Sequence, residues 1–132
     1  MKFALAAGKR KTSIAKATVY EGKGIVRINS QLLEHYTPDV SRMRIQEPLW
    51  IAETFAKKTD IDINVHGDGF QSQTEAIRLA IARGLVSFFK DPHLRKTFLE
   101  YDRNLLVADT RRKETRKPND SKARAGRQKS YR

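Results

Sequence analysis

Three consecutive cations stand at Lys9, Arg10 and Lys11, preceded by Gly8 and followed by the hydroxyls of Thr12 and Ser13. Cations beside short hydroxyl and backbone donors suit phosphate oxygens, to which they give charge-assisted hydrogen bonds. Such a run is also common in solvated turns, and it gains meaning from the other end of the chain. Residues 108–132 hold ten Lys or Arg against three Asp or Glu, and no Leu, Ile, Val, Phe, Met or Trp. That segment has no core to build, so its ordering entropy, roughly 1–2 kcal/mol per residue, has to be met from outside the chain. A polyanion is the partner that best gathers this charge, and nucleic acid is the usual one.

Other chemistry fares worse. Gly67-Asp68-Gly69 lies where a phosphate loop can sit, between an expected strand and an expected helix, but Ser72 stands where a dinucleotide fingerprint has its third glycine. Asp68 would set negative charge against a phosphate, so a tight glycine turn is the better reading. His35, His66 and His93 are scattered with no His/carboxylate spacing suited to a metal, and no cofactor is expected. Thr12 and Ser13 have no nearby base to make either a nucleophile. An enzyme is not expected.

With 132 residues, a net charge of +12 and no cysteine, the chain reads as one basic domain free of disulfides and thiolate zinc. The apolar run at residues 1–7 is too short for a signal peptide and ends in cations. No stretch reaches the ~20 apolar residues of a membrane span. Phe3–Ala7 reads as a strand broken by residues 8–12, followed by strands over Ser13–Tyr20 and Ile25–Ile28 in an antiparallel meander. Gln31–Tyr36 reads as a helical turn, and Glu47-Pro48 as the start of a helix that continues through Ala56. Ile61–Val65 alternates as a strand. Residues 73–89 form a helix with Ile77, Ala80, Ile81, Gly84, Leu85 and Phe88 on one stripe, and Glu75, Arg78 and Arg83 away from it. Asp91-Pro92 caps a last helix to about Tyr101, and Leu105–Val107 is the final apolar anchor. This order implies an α/β sandwich of one mixed sheet with helices on one face. The expected division is a globular body over 1–107 and an extended basic tail over 108–132.

Four segments carry a family resemblance. They are Gly8–Ala17, Gly24–Asn29, Val65–Gly69 with Gln73–Arg78 and Ile81–Arg83, and Leu105–Arg112. Together they resemble the ninth universal small-subunit ribosomal protein family over essentially the whole chain, with an ending, Gln128–Arg132, of the archaeal and eukaryotic type. The chain departs from the family at Gly67-Asp68-Gly69, where three adjacent glycines are common, and at Pro118–Lys122, where glycine-rich versions are commoner.

The resemblance implies a β3-α-β-α two-layer core with a left-handed crossover, like the second domain of the fifth small-subunit protein. It implies a structural constituent of the small subunit head in the cytoplasm, beside ribosomal RNA and neighbouring head proteins, with no membrane and no small-molecule substrate. Ribosomal RNA would be met by Lys9, Arg10, Lys11, Thr12, Ser13, Arg111, Arg112, Lys113, Arg116, Lys117, Lys122, Arg124 and Arg127. Peptidyl-site transfer RNA would be met by Lys129, Ser130, Tyr131 and Arg132. The rival is a free-standing RNA-binding module or RNA chaperone, which would carry aromatic stacking platforms, whereas Phe55, Phe88 and Phe89 fall at core spacing. A small-molecule kinase on the same superfold would need a phosphate loop and a catalytic acid or base.

Overall fold

From residue 13 to residue 19 every second side chain is small or branched, and those are the ones lost from solvent: Ser13, Ala15, Ala17 and Val19 are buried while Lys16 is exposed. That period of two makes a strand with one packed face. In the computed structural model, which describes residues 2–36, 38–67, 69–108 and 111, it is β2, Ser13–Glu21. The other strands are β1, Phe3–Arg10, β3, Val26–Ile28, β4, Gln31–Leu32, and β5, Thr59–His66. They form one mixed sheet in the order β1-β2-β5-β3-β4, antiparallel except for β5 beside β3.

The expected three-strand meander is therefore corrected: β1 and β2 are a hairpin, but β5 enters between β2 and β3. Thr59, Ile61, Ile63 and Val65 of β5 are all buried on one face, and the central position pairs both edges of the strand. Asn29 stitches the far side of β5. Its side-chain amide donates to the Val65 carbonyl at 3.2 Å and accepts the Val65 N–H at 2.9 Å, in the manner of another strand residue. The helical turn expected over Gln31–Tyr36 shrinks to a 3-10 turn at Leu33–His35, since Gln31 and Leu32 pair with β3.

The first strand is longer than expected. Gly8, Lys9 and Arg10 stay in register with Ala15, Ile14 and Ser13, and only Lys11 and Thr12 make the turn. Gly8 does not break the strand because it is needed within it. A Cβ there would run into the backbone of Ala76 and Ala80, so the missing side chain lets helix α3 lie directly on β1.

Four helices follow: α1, Asp39–Ile51, α2, Glu53–Ala56, α3, Phe70–Phe89, and α4, Pro92–Tyr101. Asp91 caps α4, its carboxylate accepting the His93 N–H at 2.9 Å with Pro92 behind it. α3 has the whole expected stripe buried, and Leu79, Ala82 and Arg78 as well. Arg78 is thus misassigned by periodicity. α3 is covered by the sheet on one side and by α1 and α4 on others, which leaves it little free surface.

A second correction concerns α1. Pro48 does not start a helix; it lies buried at the tenth residue of one that begins at Asp39. Proline inside a helix removes the N–H that would bond the carbonyl four residues back, here that of Arg44. Arg78 replaces it. Its Nε donates to the Arg44 carbonyl at 3.0 Å, while its Nη2 sits 2.6 Å from Glu47 and 3.9 Å from Asp102. One arginine, 5% exposed, joins α1, α3 and the end of α4 and fills the gap that Pro48 leaves.

Changing Arg78 to methionine should lower the unfolding free energy by about 3–5 kcal/mol, the usual cost of removing one partner from a buried ion pair. Adding Pro48→Ala should return part of that loss, because the new N–H can take the Arg44 carbonyl. Urea midpoints read both effects, and equal midpoints for the single and double variants would show that the two positions are not coupled.

Candidate nucleic-acid interface

The cations singled out at residues 9–11 stand at the tip of the β1–β2 hairpin. Lys11 occupies the first turn position at φ 53°, a left-handed conformation that costs a side-chain-bearing residue roughly 1–2 kcal/mol and glycine little. Thr12 is exposed beside Lys11. Gly67, at φ 104°, comes so close that a Cβ would strike the Thr12 carbonyl. Gly67, just after β5, thus packs directly against the hairpin tip. Ser13 faces the other way. It is fully buried on the core side of β2, and its hydroxyl finds no hydrogen-bond partner among the described residues.

Arg10 is held rather than loose. Its Nε lies 2.6 Å from Glu75 of α3, and its Nη1 donates to the Arg111 carbonyl at 3.2 Å. Lys9, Arg10, Arg44, Arg78 and Arg111 close around a cleft of about 110 Å³ next to the tip. Glu75 balances Arg10, while Glu47 and Asp102 balance Arg78. Lys9 and Arg44 are exposed, and their side chains make no ion pair among the described residues. Of the other expected contact residues, Arg112, Lys113, Arg116, Lys117, Lys122, Arg124, Arg127, Lys129, Ser130, Tyr131 and Arg132 lie outside the described residues.

The opposite end of the sheet has another character. β2 runs from the tip to Glu21, which pairs with Thr59, so Lys57 and Lys58 stand about 26 Å away at 3.3 Å per strand residue. There Lys57 pairs with Glu53 at 2.9 Å. The Asp60 carboxylate accepts the N–H groups of Lys23 at 2.9 Å and Ile25 at 3.0 Å. Burial pulls the Asp60 carboxyl upward, but the N–H bonds of Ile25, Lys23 and Gly24 outweigh it and hold it below its ordinary value. Charge is neutralised at that end and left in excess at the hairpin end.

An exposed aromatic side chain, Phe70 at the start of α3, stands beside Lys11 at the tip. Phe55, Phe88 and Phe89 pack together, with ring centroids 4.7 and 4.9 Å apart, behind the sheet. His35, His66 and His93 lie apart, on the 3-10 turn, the end of β5 and the first turn of α4. The longest helix is not apolar enough to cross a membrane, nor is any other among the described residues.

Residues 8–132 match the ribosomal protein S9/S16 family, so the match takes in the hairpin tip and the whole basic tail. The chain belongs to this family. Three relatives, each named small ribosomal subunit protein uS9, agree with it over almost all of their length. That of Halobacterium salinarum is 49% identical over 126 residues, covering 95% of this chain and 96% of the relative. That of Methanothrix thermoacetophila is 46% identical over 132 residues, with both chains fully covered. That of Pyrobaculum aerophilum is 44% identical over 128 residues, covering 97% and 90%. The family is structural and non-enzymatic.

Arg44 and the buried Arg78 are the members of this surface that sequence reasoning missed. A usable signal was present: Pro48 inside a helix demands an outside donor for the Arg44 carbonyl, and a guanidinium is the donor best shaped to reach it.

Lys11→Gly should leave the urea midpoint unchanged or raise it, while reducing by about 0.7 the magnitude of the slope of log K against log salt for RNA binding, one phosphate contact's worth. A fallen midpoint with an unchanged slope would make Lys11 a structural turn residue only.

Proposed function

We propose that this chain binds small-subunit ribosomal RNA in the head of the subunit, as a structural constituent of the cytoplasmic ribosome, and that its last residues reach transfer RNA in the peptidyl site. The body, residues 1–107, supplies Lys9, Arg10, Lys11 and Thr12. The tail, residues 108–132, supplies Arg111, Arg112, Lys113, Arg116, Lys117, Lys122, Arg124 and Arg127. Ser13, with its hydroxyl turned to the core, supports the hairpin instead of touching phosphate. The observation that carries this reading is the gathering of Lys9, Arg10, Lys11, Arg44 and Arg111 at one end of the sheet. Family membership supports it further. The core is read as the β3-α-β-α arrangement with a left-handed crossover, and β5 beside and parallel to β3 is compatible with such a crossover. Head proteins are its neighbours in this reading.

Because the contacts go to backbone phosphates, they serve position more than sequence. Six such contacts on irregular RNA give a slope of log K against log salt of roughly −4. In the tail end, Lys129 and Arg132 donate charge-assisted hydrogen bonds to anticodon-loop phosphates, Ser130 adds a hydroxyl, and Tyr131 packs its ring or anchors by its phenol.

Deleting residues 129–132 should leave small-subunit assembly near normal and weaken peptidyl-site binding of transfer RNA by about 1–3 kcal/mol, the size of a hydrogen bond to a charged group. Filter binding to purified subunits carrying the truncated chain reads this. Equal affinity with and without the four residues would remove the transfer-RNA contact and leave the ribosomal-RNA one standing.

A further inference from the structure

The stretch after α4 is fixed to the body at successive points. The Asp102 carboxylate accepts the Asn104 N–H at 3.0 Å and opens a 3-10 turn over Arg103–Leu105. Leu105 is fully buried. Arg83 of α3 then grips two carbonyls at once: its Nε donates to that of Leu106 at 3.0 Å and its Nη1 to that of Ala7 at 3.1 Å. Ala7 belongs to β1, the edge strand of the sheet, so Leu106 is held beside the middle of that edge. Five residues later the Arg111 carbonyl takes the Nη1 of Arg10, three residues further along β1. A strand advances about 10 Å between Ala7 and Arg10, and five residues of chain reach at most about 17 Å. From Leu106 to Arg111 the points of attachment therefore advance along β1 toward the hairpin tip.

From this we infer that Arg83, with Arg10 behind it, is a positioning residue. It sets the direction in which the basic tail leaves the body, so that the first tail cations and Lys9 and Lys11 address one site on the RNA backbone. This rests on the RNA-binding reading above for its partner, and on the body alone for its geometry. Arg83 meets no carboxylate among the described residues; both donors it commits go to backbone. Its charge strengthens two hydrogen bonds that hold chain to chain. Without it the tail explores more directions, and the effective concentration of tail cations at the hairpin falls.

The chain has no cysteine, so a single one introduced by Thr110→Cys carries a nitroxide cleanly. In the free protein, amide broadening should be strong at Lys9, Arg10 and Lys11 and weak at Lys57 and Lys58. Arg83→Met in the labelled chain should weaken the broadening at the tip while the amide spectrum of the body stays folded, and Arg83→Lys should restore part of it. An unchanged broadening profile in a folded Arg83→Met protein overturns the inference, whatever the protein binds. With small-subunit ribosomal RNA, Arg83→Met should weaken binding by about three- to tenfold, as expected for a lost effective concentration, without altering the salt slope. A slope smaller in magnitude by about 0.7 would make Arg83 a phosphate ligand and overturn the guiding role. Unaltered affinity would also overturn it. Wild-type protein that fails to bind the RNA would instead overturn the RNA-binding reading and leave the broadening experiment to decide the guide.

Discussion

A single buried guanidinium holds the helical layer in the shape that the rest of the molecule needs. Taking a charge out of water is expensive, and an arginine survives in a core only when its donors are met and its charge is balanced. Arg78 meets both conditions through groups of different origin: Glu47 and Asp102 supply negative charge, and the Arg44 carbonyl supplies an acceptor freed by Pro48. The proline and the arginine each look unfavourable alone, one inside a helix and the other inside a core. Together each removes the other's fault.

The surface follows from that arrangement. Because Arg78 sits between α1 and α3, Arg44 is brought to the edge of the cleft beside the hairpin tip, and Asp102 is held where the chain leaves α4. Gly8 lets α3 lie on β1, which puts Glu75 within reach of Arg10. Gly67 lets the turn after β5 close on Thr12. Packing, not local preference, thus gathers an excess of positive charge at one end of the sheet. Such a concentration of charge attracts a polyanion and raises its rate of encounter.

Much of this was legible in the sequence where one residue type sufficed. The alternation of β2 and β5, the buried stripe of α3 and the Asp91-Pro92 cap are local signals, and each stands where it was read. Strand order was not legible, since the pairing of β5 with β2 and β3 joins residues some 35 to 50 apart and leaves no mark on either strand alone. The start of α1 was misread because proline is favoured at a first helical turn, and only Arg78, thirty residues further on, makes it tolerable at the tenth. Among the site residues, Lys9 to Lys11 were visible as a run of charge. Ser13 was counted with them because a period of two does not say which face is the core.

The central claim is that the hairpin end of the body, and not its far end, meets ribosomal RNA. The most direct measurement is the acetylation rate of individual lysines, read by mass spectrometry, in the free protein and in assembled small subunits. Lys9 and Lys11 should be strongly protected by assembly, while Lys23, Lys57 and Lys58 at the opposite end of the sheet react much as they do in the free chain. Protection confined to Lys23, Lys57 and Lys58, with Lys9 and Lys11 still reactive, would contradict it.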